Sequence, residues 1–327
     1  MILLFLCLFK TSFGNEVIFT EEDIFYHLEN RIHIEEKNNN SSLMFSVRSG
    51  FLAPADTIYL SIDRAIVSLN HKGYEFALGR ESLFWGYGMF YSPFSYARSA
   101  MSPFDEELLK SGKNIITARY NNISYMTPEL IVFLPESTPD IDSVKCGVRL
   151  SFFTWGIESH FPLVFSKDGI YTGAGVRFSL LGFTIFSDHS LDYYSENFTL
   201  SSTVGFNKTI GSNVYMQGEY FYNERGLSSN EYDATALDTL TNLLKWGYTG
   251  KHYIYGLIQW TKYEVSGIGL FSLINPEWKS GLLGVNLSLS YFDNALISLN
   301  YIRILKGREF DFVPYDNSVL LEFRYYL

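Results

Sequence analysis

Apolar and polar side chains alternate through the stretch Ile170-Tyr-Thr-Gly-Ala-Gly-Val-Arg-Phe-Ser179. A period of two places the two sets on opposite faces of a β-strand. One face carries Ile170, Thr172, Ala174, Val176 and Phe178, and the other carries Tyr171, Gly173, Gly175, Arg177 and Ser179. The same division recurs in residues 24–34, 144–152, 198–207 and 283–291. This recurrence predicts an all-β chain.

The less apolar face of these segments distinguishes two architectures. In a soluble sheet this face meets bulk water and is usually rich in Lys, Glu and Thr. Here it consists of Gly, Ser, Asn and scattered Arg. Small polar residues with a few long charged ones suit a crowded, water-filled lumen, while the apolar face meets lipid. The pattern therefore predicts a transmembrane antiparallel up-and-down β-barrel.

The composition agrees with a barrel. The 327 residues are 47% apolar and 17% aromatic, but only 18% are charged, against about a quarter in a typical soluble domain. Apolar stretches such as residues 178–186 reach about half the length of roughly 20 residues that a spanning helix needs. A net charge of −10 argues against a nucleic-acid partner.

The N-terminus has the pattern of an export signal. An apolar core in residues 1–14 is followed by small residues at Ser12 and Gly14, which predicts a cleaved signal peptide and a single barrel domain over residues 15–327. The segment lacks a basic beginning, so the alternative is a buried first strand. For an exported barrel, we expect a location in the outer membrane of a double-membraned, Gram-negative envelope.

The two cysteines, Cys7 and Cys146, do not predict a disulfide. Cys7 falls within the predicted signal, and Leu6 before it is not the small residue that a lipoprotein signal needs. Cys146 is then left alone, and its strand position predicts a small apolar residue that faces lipid.

Seventeen candidate strands run from Ile24 to the last residue. Bacterial barrels have an even number of strands, so we expect about 16, with 14 or 18 as alternatives. The least secure candidates are the N-terminal segment and residues 253–260. Tight periplasmic turns are predicted at residues 70–73, 181–182, 210–212 and 293–294, and external loops at 84–113, 223–250 and 306–317. Within the second loop, leucines at helical spacing in residues 233–246 predict a short helix.

The C-terminal nine residues, 319–327, alternate and end in an apolar residue. Phe323, Tyr325 and Leu327 share one face. This resembles the last-strand signal by which the barrel-insertion machinery recognises bacterial outer-membrane proteins, although that family usually ends in Phe. In a soluble protein such an exposed aromatic edge would invite aggregation.

A family resemblance covers about 80 residues. Its motifs are Leu78-Gly-Arg-Glu81, Trp85-Gly-Tyr-Gly-Met-Phe-Tyr-Ser-Pro93 and Ser102-Pro-Phe-Asp105. They resemble the pattern of porin-like outer-membrane barrels, in which Asn stands at the positions of Ser92 and Ser102. The resemblance implies a channel for passive diffusion of small polar solutes, embedded in outer-membrane lipid.

A second resemblance is looser. Residues 85–88 and 100–103 are similar to the W-W-G-P-G type segment and the following A-x-P of Wzi-like barrels that anchor capsular polysaccharide. This chain lacks the second Trp and has Tyr87 where Pro is expected. The resemblance implies the alternative function, a closed barrel that binds surface polysaccharide or another external partner.

Glycines and aromatics in the first long connection suggest a loop inserted into the lumen, because glycine permits close backbone approach. The residues of this inserted loop are Trp85, Gly86, Gly88, Pro93 and Pro103. We hypothesise that the adjoining acids face lumen bases and form a pore constriction with a transverse field. Its members are Asp105, Glu106, Glu107, Arg119, Lys145, Arg149 and Arg177. The alternative is that the acids are solvated outside and the bases form salt bridges that brace the barrel.

Enzymatic motifs are weak. The sequence has no H-E-x-x-H, no paired Cys and no G-x-S-x-G, so neither a metal nor a hydrolase nucleophile is supported. The run Asp188-His189-Ser190 contains the residue types of a catalytic triad, but we interpret it as a solvated loop. We expect a protein that is not an enzyme and has no cofactor.

Overall fold

The computed structural model describes most of the chain as strands of one antiparallel sheet. It describes residues 8–20, 24–37, 40–53, 57–81, 83, 85–88, 92–94, 112–135, 143–194, 197–228, 250–262, 266–292, 295–305 and 317–326. Across these residues, no helix is long and apolar enough to cross a bilayer.

Eighteen strands are present in the described ranges. They are β1 (Leu8–Thr20), β2 (Ile24–Lys37), β3 (Ser41–Ala53), β4 (Thr57–His71), β5 (Tyr74–Glu81), β6 (Lys113–Tyr120), β7 (Met126–Phe133), β8 (Lys145–Thr154), β9 (Ile157–Ser166), β10 (Gly169–Leu180), β11 (Phe183–Tyr194), β12 (Asn197–Ile210), β13 (Val214–Asn223), β14 (His252–Lys262), β15 (Ser266–Asn275), β16 (Ser280–Phe292), β17 (Ala295–Leu305) and β18 (Asn317–Tyr326).

The sheet closes on itself. Each strand pairs antiparallel with its neighbours in the chain, and β1 pairs with both β2 and β18. Glu16, for example, lies opposite His27 on one side and Glu322 on the other. Closure leaves no unpaired edge, which removes the main aggregation hazard of a large sheet. The prediction of an all-β, antiparallel up-and-down barrel is confirmed.

The strand count is eighteen, the higher alternative, rather than sixteen. The seventeen strands β2 to β18 match the number of candidates counted from Ile24. The additional strand, β1, uses residues 8–20, of which residues 8–14 were assigned to the signal peptide. An even number therefore results from a strand missed at the N-terminus, not from a false candidate. Residues 253–260 lie in β14.

The tight turns and the three longest connections join strand ends at opposite ends of the barrel. Tight turns at Lys72-Gly73 and Leu181-Gly182 have positive φ at both residues, between 49° and 87°, as type I′ hairpins require. These two turns and the one at residues 211–213 confirm three predicted turns; residues 293–294 lie outside the description. The strand ends that the connections 82–112, 224–251 and 306–316 join lie at the opposite end, where the external loops were expected. We call the two ends the turn end and the loop end. The predicted helix, 233–246, is outside the described residues.

The strands present one face outward and the other inward. In β9, Phe161, Leu163 and Phe165 are exposed, whereas His160 and Val164, which belong to the alternate set of positions, are buried. The same alternation on the other strands gives an outer face of exposed apolar side chains. Cys146 is exposed on this outer face, which agrees with its predicted orientation.

The C-terminal strand follows the same rule. Leu321 and Phe323 of β18 are exposed on the outer face. The backbone of Tyr325 pairs with Phe13 of β1 and Ala295 of β17, and Leu327 is outside the described residues. The role of this strand as an insertion signal remains a prediction.

Candidate functional site in the barrel interior

Part of the first long connection lies inside the barrel. We call residues 85–88 and 92–94 the inner segment. Trp85 is 1% exposed and Phe94 is 0% exposed, and both belong to a cluster with inward residues of the wall such as Ile115 and Val164. The Trp85 ring packs edge-on against Phe133, with centroids 5.9 Å apart. Apolar burial therefore holds the inner segment against the inner wall of β6 to β10.

The carboxylate of Asp188 on β11 fixes the backbone of the inner segment. Its Oδ2 accepts hydrogen bonds from the backbone N–H groups of Tyr87 at 2.6 Å and Gly88 at 2.8 Å. Hydrogen bonds to an ionised acceptor are about twice as strong as neutral ones. Asp188 is completely buried, so water does not compete for these donors. We call this arrangement the Asp188 anchor.

A glycine makes the anchor possible. Gly175 of β10 lies opposite His160 of β9 and Asp188 of β11 in the two registers. A Cβ at Gly175 would lie 2.3 Å from both Asp188 Oδ1 and His160 Cε1. Because that space is empty, His160 Nε2 approaches Asp188 Oδ1 to 3.6 Å across the intervening strand. The His160 ring also packs against Tyr87 and Phe94, with centroids 4.8 and 5.3 Å away.

The inner segment also stabilises its own turn. Ser92 Oγ donates to the Trp85 carbonyl at 3.0 Å and accepts from the Phe94 N–H at 3.3 Å. Gly86 has φ of +111°, and a Cβ there would lie 2.9 Å from Ser92 Oγ. Only glycine adopts this φ at little cost. Four residues of the predicted inserted loop, Trp85, Gly86, Gly88 and Pro93, therefore lie in the interior, with Pro93 buried; Pro103 is outside the described residues.

The four predicted lumen bases all lie on the inner face of β6, β8 and β10. Arg119 and Arg149 both bind Glu129 of β7 at 2.7 Å, and Glu129 is 1% exposed. Arg177 forms an ion pair with Glu158 of β9. The partners of the three arginines are thus acids of the wall. The predicted partners, Asp105, Glu106 and Glu107, lie outside the described residues.

The bases also contact aromatic rings. The guanidinium of Arg149 lies 5.3 Å from the Trp85 ring centroid, and that of Arg177 lies 4.9 Å from the Tyr87 ring. Lys145 lies 5.2 Å from the Tyr171 ring. Cations at these distances are attracted to the ring face. Arg149 and Arg177 therefore connect the inner segment to the wall acids Glu129 and Glu158.

A cavity of about 540 Å³ remains between the inner segment and the wall near the turn end. Its inward polar lining comprises Tyr87, Thr127, Arg149, Ser151, Glu158 and His160. Burial, and then the negative charge of Glu158, raise the pKa of Tyr87 to about 12. Its phenol is therefore a neutral donor and acceptor at physiological pH.

Sequence reasoning missed Glu129, Glu158, His160 and the anchoring role of Asp188. Alternation within each strand assigns all four to the inward face, but it does not show which of them bind one another. The run Asp188-His189-Ser190 is not the solvated loop that we expected, because it lies within β11. Asp188 and Ser190 point inward and are buried. His189 is exposed on the opposite face, where its ring nitrogens bond to Ser187 and Ser202 at 2.7 and 2.9 Å. These three side chains do not converge as a catalytic triad.

The next wall, β12 and β13, has a different polar network. Gln217 donates to Glu219 at 2.6 Å and accepts from the Tyr215 hydroxyl at 2.9 Å. Ser201 bonds to Asn223 at 3.2 Å. Among the residues whose placement is described, no group of three or more His, Cys, Asp or Glu is arranged to hold a metal ion.

Comparison with known proteins identifies the fold class. No protein-family model matches the chain, and no curated protein matches it in sequence. Among solved structures, Pseudomonas aeruginosa OccK5 (OpdH) superposes with a TM-score of 0.66 at 8% identity, over 98% of this chain and 96% of that one. Pseudomonas aeruginosa OccK2 (OpdF), in complex with glucuronate, gives 0.64 at 8% identity with the same coverage. A Rhodopseudomonas blastica porin variant gives 0.55 at 9% identity, over 98% and 100% of the two chains.

These likenesses extend over almost the whole chain and show a porin-like β-barrel fold. The resemblance to porin-like barrels is therefore confirmed at the level of the fold. The motif-level resemblance and the similarity to Wzi-like barrels remain predictions.

Proposed function

We propose that this chain is a non-enzymatic outer-membrane channel for passive diffusion of small polar solutes. In this proposal, residues 1–14 are a signal peptide that is cleaved during export. The observation that carries the proposal is a closed barrel whose outer face is apolar and whose interior holds ion pairs and a cavity. An exposed apolar belt around a closed barrel suits lipid contact. Cleavage after Gly14 would leave residues 15–20 of β1 to pair with β2 and β18.

The inner segment narrows the channel on one side, and charged groups sort solutes at that level. Arg177 and Glu158 are the candidates for this role, because their side chains are 43% and 38% exposed. Arg119 and Arg149 fit the bracing alternative better, since their shared partner Glu129 is buried. We retain Asp105, Glu106 and Glu107 as the proposed acids opposite these bases. Opposed charges across a narrow aqueous passage select solutes by charge and dipole.

The cavity beside Tyr87 suggests which solutes to test first. Its hydroxyl groups, from Tyr87, Thr127 and Ser151, can bond to solute hydroxyls, and the half-exposed Arg177, paired with Glu158 of the cavity lining, favours an acid group. OccK2 was solved with glucuronate, a solute with both features. We therefore infer that small hydroxylated acids are suitable first solutes for this chain.

Single-channel recording in a planar bilayer tests the proposal. The refolded chain, with barrel formation checked by heat-modifiable gel mobility, should give discrete conductance steps. Arg177→Gln should shift the reversal potential in a salt gradient toward cations, because it removes a cation from the passage. Arg303→Gln is the matched control, since Arg303 is an exposed residue of β17 on the outer face, and it should leave the selectivity unchanged.

A correctly folded barrel without conductance would overturn the channel. The alternative, a closed barrel that binds surface polysaccharide, requires aromatics available to a saccharide. Trp85 is buried inside the barrel and does not provide such a surface, while Tyr91 lies outside the described residues. No observation on the described part favours that alternative over the channel.

A further inference from the structure

The barrel wall is shorter on one side than on the other. We call the change in wall height between β4 and β5 the step. The consecutive strands β5, β6 and β7 have eight residues each, whereas β3 has 13 and β4 has 15. At about 3.3 Å per residue and a tilt near 45°, eight residues span roughly 19 Å, less than the apolar band of about 25 Å around an outer-membrane barrel. Over the part of the chain that the structure describes, the wall is therefore short at these three strands.

The step lies at the loop end. Ala65 of β4 pairs with Arg80 near the end of β5, so β4 continues beyond β5 through residues 57–63. Ile58 and Leu60 on this extension are 81% and 75% exposed on the outer face. A long strand with an exposed apolar extension thus lies beside three short strands.

An apolar groove crosses the outer face of β4 to β9 below the step. The groove has a volume of about 610 Å³ and is lined by side chains such as Leu69, Phe76, Leu78, Ile116, Cys146 and Phe165. At the step it meets a notch of about 710 Å³ lined by Leu60, Ile62, Leu78, Arg80, Asn114 and Pro135. Leu78 lines both, so the two spaces adjoin. We call them together the outer-face site, with an apolar lower part and a polar upper part.

The polar part contains an oriented cation. Arg80 lies opposite Asn114 in the register of β5 and β6, and its Nη1 donates to Asn114 Oδ1 at 3.4 Å. Asn114 is itself held, because its Nδ2 donates to the Pro135 carbonyl at 2.9 Å. A guanidinium in a fixed orientation suits a phosphate, which it binds with two parallel hydrogen bonds.

We propose that this outer-face site binds one anionic phospholipid-type molecule of the outer leaflet, with an acyl chain in the groove and its phosphate on Arg80. Where the apolar surface of a protein is shorter than the hydrocarbon layer of the membrane, lipid head groups move toward the membrane centre or the layer becomes thinner. Arg80 lies at the loop end of the short strands, where such a lowered head group meets the protein. The inference rests on the membrane location in the proposed function, but not on an open pore.

Native mass spectrometry of the detergent-refolded full chain tests the site. The chain is mixed with equal amounts of dioleoyl phosphatidylglycerol and dioleoyl phosphatidylcholine, and lipids retained after detergent removal are counted. One phosphatidylglycerol per barrel should be retained. Arg80→Gln should lower this occupancy about tenfold, because one charge-assisted contact is lost. Arg303→Gln removes an outward arginine near the loop end of β17, away from the groove, and should leave occupancy unchanged.

Two results would overturn the lipid site. One is an equal loss of lipid in both arginine variants, with heat-modifiable mobility showing that each barrel is folded. The other is oxidative crosslinking of Cys146, tested with Cys7 replaced by serine, into disulfide-linked dimers in vesicles, which would mean that a second copy covers the groove. A barrel that retains the lipid but does not conduct keeps this inference and overturns the channel, so the two failures are distinguishable.

Discussion

The inner walls of β7 to β11 and of β12 to β13 are built from the same alternating pattern, but their polar groups bind different partners. On the first wall, Asp188 binds the backbone of the inner segment. On the second wall, Gln217 and Glu219 bind each other. The first wall also has Gly173 and Gly175, where a Cβ would overlap Phe94 and His160. A polar inner face becomes a docking surface when small residues leave room beside a buried charge.

Among the substitutions predicted here, one at Glu129 should cause the largest loss of stability. Glu129→Gln leaves Arg149 with a neutral partner in a buried site, and leaves Arg119 with the more distant Glu75 at 3.5 Å. Breaking a buried ion pair costs about 3 kcal/mol or more of the free energy of unfolding. The loss should appear as a lower midpoint in urea unfolding of the refolded barrel. Glu219→Gln on the second wall is the matched control, because a neutral amide still accepts from Gln217 there, and it should cost much less. Equal losses in the two variants would mean that the first wall does not depend on its ion pairs.

Gly175→Ala should separate the inner segment from its wall. The new methyl group would lie 2.3 Å from Asp188 Oδ1 and His160 Cε1, and neither moves freely, since one binds two N–H groups and the other packs between two rings. Overpacking of this kind costs about 1–3 kcal/mol. We expect a lower free energy of unfolding together with larger conductance steps.

The control for this substitution is Gly269→Ala on β15. A Cβ at Gly269 would meet Asn286 Cβ at 3.6 Å, an ordinary contact. Unchanged stability and conductance are expected. If Gly175→Ala behaves in the same way, the inner segment does not depend on the space at Gly175.

The inward positions were predictable from sequence, whereas the contacts between them were not. Period-two alternation correctly placed Arg119, Lys145, Arg149 and Arg177 on the inner face. The partner of each depends on strand register, as for Arg177 opposite Glu158, and alternation in one strand carries no information on the register of the next. The same limit concealed Asp188.

The N-terminal strand shows a second limit. An apolar segment of this length satisfies the composition of a signal peptide and of a strand alike. β1 becomes recognisable only through its pairing with β18 and β2. Whether residues 1–14 are removed is therefore a prediction for N-terminal sequencing of the exported protein. A first residue of Asn15 would support cleavage, and a retained Met1 would contradict it.

Asp188→Asn tests the anchor without a change in volume. The amide side chain can still accept from one or both N–H groups, but the charge is lost. Hydrogen bonds to charged groups contribute about 1.5–3 kcal/mol each, and a neutral acceptor retains part of this. We expect a fall in the free energy of unfolding of about 1 kcal/mol and conductance that flickers between two levels as the inner segment is released and rebound. A steady conductance identical to that of the unaltered chain would show that the charge of Asp188 is not needed.

His189→Ala should have the smallest effect, although His189 is the next residue in the sequence. Its side chain lies on the outer face and bonds only to Ser187 and Ser202 in the described contacts. Substitutions at exposed positions outside buried networks usually change stability by less than about 0.5 kcal/mol. Conductance and urea midpoint should therefore match those of the unaltered chain. Asp188 and His189 are adjacent in the same strand and lie at about the same height in the barrel wall. A difference between the two variants therefore reports on which face of the strand each side chain occupies. An effect on conductance at His189 as large as that at Asp188 would contradict the assignment of the inner and outer faces of β11.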